Sequence, residues 1–388
     1  MTDLNHKPNW ITFYDPFLLT ALGILIPFGL LMLASSSIAI SQRHYGTAFH
    51  YLFHQLIYLS ISLGLAGALA LVKIKQWYKI SRRILICVLI ILILILIPGL
   101  GRHVNGSTRW LHLGFLNIQI AEFAKLAVIL YLASYLTDKI PRGSIQQSSI
   151  KFIIFLKPLF VVGSVAVLLL CEPDFGTTTV ILATSLITLF LVGIRLGQFI
   201  LLMSGIMLAL IGLAITAPYR WIRLTSFLNP WANQFDAGYQ LTQSLIAFGR
   251  GGWFGLGLGE SIQKLFYLPE AHTDFLFAVL TEELGLVGAI VLLLLFAIIV
   301  WRALMIGRRC ALTQQMFPAY CAYGIGLSIA LQTMVHVGVN AGILPTKGLT
   351  LPFMSYGGNS LLVSTIMIVL LLRIDYESQL ARFGFRIR

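Results

Sequence analysis

Charge is what this 388-residue chain has least of. Asp, Glu, Lys and Arg make up 11% of it, against roughly a quarter in soluble globular proteins, while 58% is hydrophobic and the mean hydropathy is +0.89. A water-soluble enzyme is excluded. Acids are scarcer than bases, 14 against 27, yet the Lys and Arg residues sit in short gaps between apolar runs and not on one face, which argues against a nucleic-acid groove. Cysteine is nearly missing: Cys87, Cys171, Cys310 and Cys321 show no C-x-x-C spacing, so neither a disulfide framework nor a metal cluster is expected. Polar–apolar alternation is lacking as well. Ile84 to Leu96 is almost all Ile and Leu, which rules out a β-barrel. No internal repeat and no fused soluble domain is visible, and a single membrane domain over residues 1–388 is expected.

What is present is a series of apolar runs, each near the ~20 residues that span a bilayer. They fall at about 17–38, 51–72, 84–100, 120–136, 152–171, 177–194, 198–217, 275–300, 317–340 and 350–372. The first is too long for a signal-peptide core and is read as a retained helix. The fold class is therefore all-α: a polytopic integral membrane protein with about ten transmembrane helices. Ten spans put both termini on one side, and the gaps on that side hold most of the Lys and Arg, above all Lys73, Lys75, Lys79, Arg82 and Arg83. The positive-inside rule then places the termini in the cytoplasm.

On the opposite side lie Glu172, Asp174, Asp236, Glu260, Glu270 and Asp274, with Glu282 and Glu283 just inside the eighth span. The gap 218–274 is long, aromatic and poor in charge, which suits a partly membrane-embedded extracytoplasmic loop. Within it, Leu241, Ser244, Leu245 and Phe248 share one face of a helix, either interfacial or simply packed. The glycine run Gly249 to Gly259 matches no nucleotide fingerprint; it suits a tight turn and close backbone approach, with Arg250 outward where a phosphate could meet it. His50 and His54 share a helix face but lack a third ligand for zinc.

Leu268 to Phe277 sets Glu270, His272 and Asp274 at the mouth of the eighth span. Asp274 or Thr273 would cap that helix; the functional reading makes Asp274 an outward general base or metal ligand. Glu122 and Lys125, three apart on the fourth span, are read as a structural ion pair. Asn105 to Trp110 is read as an outward turn carrying Arg109, and Glu172 to Gly176 as a turn capping the sixth span. Pro345 to Ser360, rich in Pro and Gly, should be broken backbone lining a cavity, with Lys347 facing an anionic ligand.

N-G-S-T-R-W-L (105–111), A-E-F-A-K-L (121–126), E-P-D-F-G-T-T (172–178), L-P-E-A-H-T-D-F (268–275) and P-T-K-G-L-T-L-P-F-M-S-Y-G-G-N-S (345–360), in this order on ten spans, resemble the SEDS family over nearly the whole chain. The cell-division branch is closer than the elongation branch, and spore-cortex relatives form a third. Asn359 departs from the pattern, standing where a small Ser is frequent. The resemblance implies a peptidoglycan glycosyltransferase that polymerises lipid II on the outer face of the bacterial cytoplasmic membrane during septal wall synthesis. It further implies Asp274 as the essential acid, acting as base, as metal ligand or as both. Arg109, Arg250 and Lys347 are then candidates for the pyrophosphate, Glu270 is a further substrate-contact candidate, and a divalent cation (magnesium or manganese) is the one cofactor to consider, with no nucleotide or organic group. The implied partners are a class B penicillin-binding protein of the FtsI-like transpeptidase type and other divisome proteins. Competing readings are a lipid II flippase and a non-catalytic divisome scaffold.

Overall fold

The computed structural model describes residues 14–97, 101–104, 107–113, 116–140, 153–215, 218–346 and 348–382. The helices are α1 (Pro16–Tyr45), α2 (His50–Ala70), α3 (Ile74–Ile95), α4 (Ile120–Lys139), α5 (Ile153–Cys171), α6 (Phe175–Val192), α7 (Leu196–Ile215), α8 (Pro218–Leu228), α9 (Tyr239–Gly251), α10 (Leu276–Leu312), α11 (Met316–Asn340) and α12 (Gly358–Arg382). Among the described residues, eight helices are long and apolar enough to cross a membrane. The other two expected spans coincide with α3, whose first turns carry Lys75, Lys79, Arg82 and Arg83, and with α7.

Burial sorts these helices into a centre and a rim. α4 is buried nearly all round, from Ile120 to Leu136, the signature of a helix enclosed by other helices. It joins two apolar clusters, one built on α1, α10, α11 and α12 and one on α3, α5 and α6. α7 lies at the rim, with every described side chain at least partly exposed. At the bundle end that carries Pro16 and Arg382, Arg302 is ion-paired with Asp15, and a cavity of about 550 Å³ opens beside Arg309 and Arg382.

Three features differ from expectation. A three-stranded antiparallel sheet, β1 (Gly101–Val104), β2 (Ser107–Leu113) and β3 (Leu116–Gln119), occupies the α3–α4 connection where a simple turn was expected. Its register sets Arg102 opposite Trp110 and Trp110 opposite Gln119. Two of the strands have only four residues, and the seven of β2, S-T-R-W-L-H-L, break the polar–apolar alternation at Trp110 and Leu111. Second, the last span begins at Gly358 and not at 350, so 350–357 belongs to the expected broken segment and not to the helix. Third, α10 runs on to Leu312 but breaks at Gly285 (φ 67°, ψ −168°).

That break explains the glycine run. Leu256 and Gly257 donate their N–H groups to the Glu282 and Glu283 carbonyls (both 3.0 Å), and Leu286 and Val287 donate to Gly252 and Trp253 (3.0 and 3.1 Å). Backbone groups freed by the break are thus re-paired with a second strand of chain, as an apolar surround demands. The approach is close: a Cβ on Gly251 would lie 1.9 Å from the Thr281 carbonyl oxygen, and one on Gly255 (φ 77°) 2.1 Å from that of Glu283. Glu282 and Glu283 are wholly buried, and each meets a cation. Arg250 Nε is 3.2 Å from Glu282, and Lys264 Nζ is 2.7 Å from Glu283 while also donating to Ser35 Oγ.

Gly255→Ala should therefore lower stability by about 2 kcal/mol or more, the scale of an overpacked and strained site. Gly249→Ala, in α9 with open space around its Cβ position, should be neutral or stabilising by up to about 1 kcal/mol. Thermal unfolding of the two purified variants in detergent compares them directly.

Candidate functional site

Asp274 sits where a tight turn enters α10. Glu270 adopts φ 56°, and its carbonyl collects the N–H groups of Thr273, Asp274 and Phe275 at 3.1–3.2 Å. Leu268 and Ala271 anchor the turn in the core. The expectation that Asp274 or Thr273 caps α10 is corrected. The cap position is Phe275, which offers no side-chain acceptor, and the Thr273 hydroxyl turns back to Glu270 Oε2 (2.7 Å). The acceptor comes instead from another helix: Asn340 Oδ1 takes the Ala278 N–H (3.1 Å) while Asn340 Nδ2 donates to the Asp274 carbonyl (3.0 Å). The carboxylate of Asp274 faces the 345–357 segment, close enough that a Cβ on Gly348 would lie 2.9 Å from Oδ2. Lys347, the cation expected there, lies outside the described residues.

The segment beyond Gly348 is non-helical, as expected, and side chains satisfy it. Gln332 Nε2 donates to the Thr350 carbonyl (2.9 Å), His336 Nδ1 to that of Leu349 (2.6 Å), and Gln55 Nε2 to that of Ser355 (3.3 Å). Ser355 Oγ accepts from Leu351 N (3.0 Å), and Tyr356 N donates to the His272 carbonyl (2.9 Å). The His272 ring is buried between Tyr51 and Tyr356; burial holds its pKa below the usual range, against the pull of Glu270.

Glu122 and Lys125 form the expected pair, at 2.7 Å, but the pair does not stand alone. Lys125 Nζ also donates to Gln332 Oε1 (2.6 Å), so α4 is linked through α11 to the strand over Asp274. The residues that make these links, Gln332, His336 and Asn340, with Ser328 below them, are buried and recur every four positions along α11. That polar stripe inside an apolar span is a legible signal that the motif-based reading passed over.

The remaining candidates have protein partners. Arg109, on β2, donates from Nε to the Glu172 carbonyl (3.0 Å) and from Nη2 to that of Pro173 (2.6 Å), pinning the sheet to the α5–α6 turn. Arg250 is paired with Glu282, and Glu270 is exposed on its turn. Asp174 caps α6, accepting from Thr177 N at 3.1 Å. α9 packs against α10 and α11, with Leu241 and Ser244 buried, which settles it as a packed helix. His50 stacks on Tyr45 at 3.6 Å. Among the described residues no three His, Cys, Asp or Glu side chains gather into a metal-holding group.

Two expected outcomes follow. Glu122→Gln or Lys125→Met alone should cost about 3–5 kcal/mol by stranding a buried charge, and the double substitution should recover part of that loss; a thermal double-mutant cycle measures it. Glu172 is buried in its turn with neither carboxylate oxygen hydrogen-bonded among the described residues. Burial, aided by Asp174 and opposed by Arg109, pushes its pKa up to about 8. A folded-state pKa above the ordinary 4.5 means the folded state binds the proton more tightly, so stability falls as pH rises from about 4.5 to about 8. Glu172→Gln should flatten that slope and raise the thermal midpoint at pH 8.

A protein named as a probable peptidoglycan glycosyltransferase FtsW from Coxiella burnetii is 53% identical over 366 residues, covering 94% of this chain and 97% of that one. Another of the same name, from Legionella pneumophila, is 50% identical over 377 residues, covering 97% and 94%. Among solved structures, a chain of a peptidoglycan synthase complex that coordinates polymerization and crosslinking superposes with a TM-score of 0.76 at 25% identity, over 94% of this chain and 98% of that one. The rod-shape-determining protein RodA of Thermus thermophilus superposes with a TM-score of 0.68 at 26% identity, over 95% and 98%. Residues 16–380 match the FtsW/RodA/SpoVE family, described as cell cycle proteins, and the chain belongs to that family.

Proposed function

We propose that this chain is a peptidoglycan glycosyltransferase of the cell-division type, polymerising lipid II at the septum. One observation carries the assignment of its site. Asp274 is held at the mouth of α10 with its carboxylate turned to a non-helical, glycine-bearing strand, while another helix performs its capping duty. An outward carboxylate at a helix mouth is placed to accept the proton of a sugar hydroxyl.

In the reaction, the 4-hydroxyl oxygen of an incoming lipid II attacks the anomeric carbon of a glycan linked through pyrophosphate to a polyprenyl lipid. Asp274 takes the hydroxyl proton as the new glycosidic bond forms and the bond to the pyrophosphate oxygen breaks. The leaving pyrophosphate needs positive charge. Lys347, next to Gly348 in sequence, is assigned that role; Arg109 and Arg250 are assigned to it second, because both already serve protein acceptors. A divalent cation would be held by Asp274 and by substrate oxygens, since the described side chains make no cage of their own, and it would neutralise the departing phosphates.

The basic gaps on the side of the termini support a cytoplasmic placement for both, which puts Asp274 and the 218–274 loop on the outer face. The likeness to a chain of a synthase complex supports a class B penicillin-binding protein as partner.

Asp274→Asn preserves size and removes basicity. Polymerisation of purified lipid II by the reconstituted protein with its partner should fall at least ~10²-fold, while insertion and partner association stay normal. Full-rate polymerisation by a folded Asp274→Asn protein would end the assignment. Altered lipid II translocation in vesicles without chain growth would favour a flippase, and disturbed assembly alone a scaffold.

A further inference from the structure

α10 begins without a cap of its own, and the side chain that replaces one belongs to α11. Asn340 is completely buried, and both ends of its amide are engaged. Oδ1 accepts the Ala278 N–H at 3.1 Å; Nδ2 donates to the Asp274 carbonyl at 3.0 Å and to the His336 carbonyl at 2.8 Å. The Asn340 carbonyl in turn accepts the Ser244 hydroxyl of α9 at 2.7 Å. An asparagine side chain offers two donors and an acceptor oxygen with two lone pairs; here both donors and the oxygen meet backbone on either side of Phe275 or in its own helix.

We infer that Asn340 is a positioning residue for Asp274. A local cap would have to spend a side chain of the 273–275 turn on the first α10 amides, and Asp274 is the natural donor of that service by residue type. With the cap made from α11, the Asp274 carboxylate is not spent on the α10 amides and faces Gly348. The opposite jaw of the site hangs from the same helix face: His336 holds the Leu349 carbonyl and Gln332 that of Thr350, four and eight residues before Asn340. The acid and the segment it faces are therefore both held by one helix, α11. Rates of positioned reactions fall steeply with misplacement on the ångström scale, so the effect of Asn340 belongs in turnover and not in substrate affinity.

The inference rests on the reading of Asp274 as the base, and the test separates the two. Asn340→Asp keeps size and an acceptor for Ala278 but presents no N–H to the Asp274 carbonyl. In steady-state polymerisation of lipid II by the reconstituted protein with its partner, its kcat should fall at least ~10-fold with KM within about twofold of the parent. Asn340→Gln, which retains both donors one methylene further out, should recover part of the rate. Ser244→Ala removes a buried hydrogen bond from the same helix end without touching the Asp274 turn, and should lower the thermal midpoint while leaving kcat unchanged. An unchanged kcat in Asn340→Asp, a change confined to KM, or an equal kcat loss in Ser244→Ala would overturn the inference, as would an Asn340→Asp protein that does not fold, since that would assign Asn340 to stability alone. Asp274→Asn is assayed alongside. If it is active, the catalytic reading itself fails; if it is inactive while Asn340→Asp runs at full rate, only the positioning role fails.

Discussion

A backbone N–H or carbonyl that leaves a helix inside a bilayer must find its partner within the protein, because lipid supplies none. Two stretches of this chain leave helical structure beside buried core, and both are arranged around that requirement. At Gly285 the broken α10 is re-paired by the glycine run after α9, backbone to backbone. Over Asp274, the 349–357 strand is held mainly by side chains: Gln332, His336, Gln55 and Ser355. The difference in method has a consequence. Backbone re-pairing at Gly285 needs glycines and nothing else, whereas side-chain support at the site requires a specific amide or imidazole at each step.

The same accounting governs charge. Wholly buried Glu282 and Glu283 each meet a cation, Arg302 meets Asp15, and Lys125 is shared between Glu122 and Gln332. Ion pairs of this kind add little net stability over an apolar core, but leaving one member alone is costly. Their effect is to fix which helix faces which. Glu172 follows the other route: among the described residues no cation pairs with its carboxylate, and its raised pKa lets it stay protonated near neutral pH.

Spans were legible because twenty apolar residues have few alternative fates, and the Glu122–Lys125 pair because three-residue spacing on a helix leaves little freedom. α9 was legible from the spacing of Leu241, Ser244 and Phe248. Less visible was anything that depends on tertiary approach. Nothing local to Asp274 reveals that Asn340, 66 positions later, would cap α10, and Asp274 is itself a good capping residue, so the local rule pointed elsewhere. Arg109 and Arg250, the arginines expected near the pyrophosphate, also hold two backbone carbonyls and Glu282, which lie far along the chain where local sequence does not show them. The sheet at 101–119 is hidden because two of its strands have four residues and the third, Ser107–Leu113, does not alternate strictly.

α4 raises a question of timing. It is the central helix and carries a buried acid and a buried lysine, yet the residue that completes the lysine's coordination, Gln332, lies 207 positions further on. At roughly 5–20 residues per second of synthesis, about 10–40 s separate the two on the ribosome. During that interval α4 has been inserted and its neighbour has not been made. A nascent chain stalled before α11 would hold the Glu122–Lys125 pair in the bilayer without its Gln332 acceptor. Completion of the bundle core is thus tied to emergence of α11, the helix whose Gln332, His336 and Asn340 also hold the backbone of Thr350, Leu349 and Asp274.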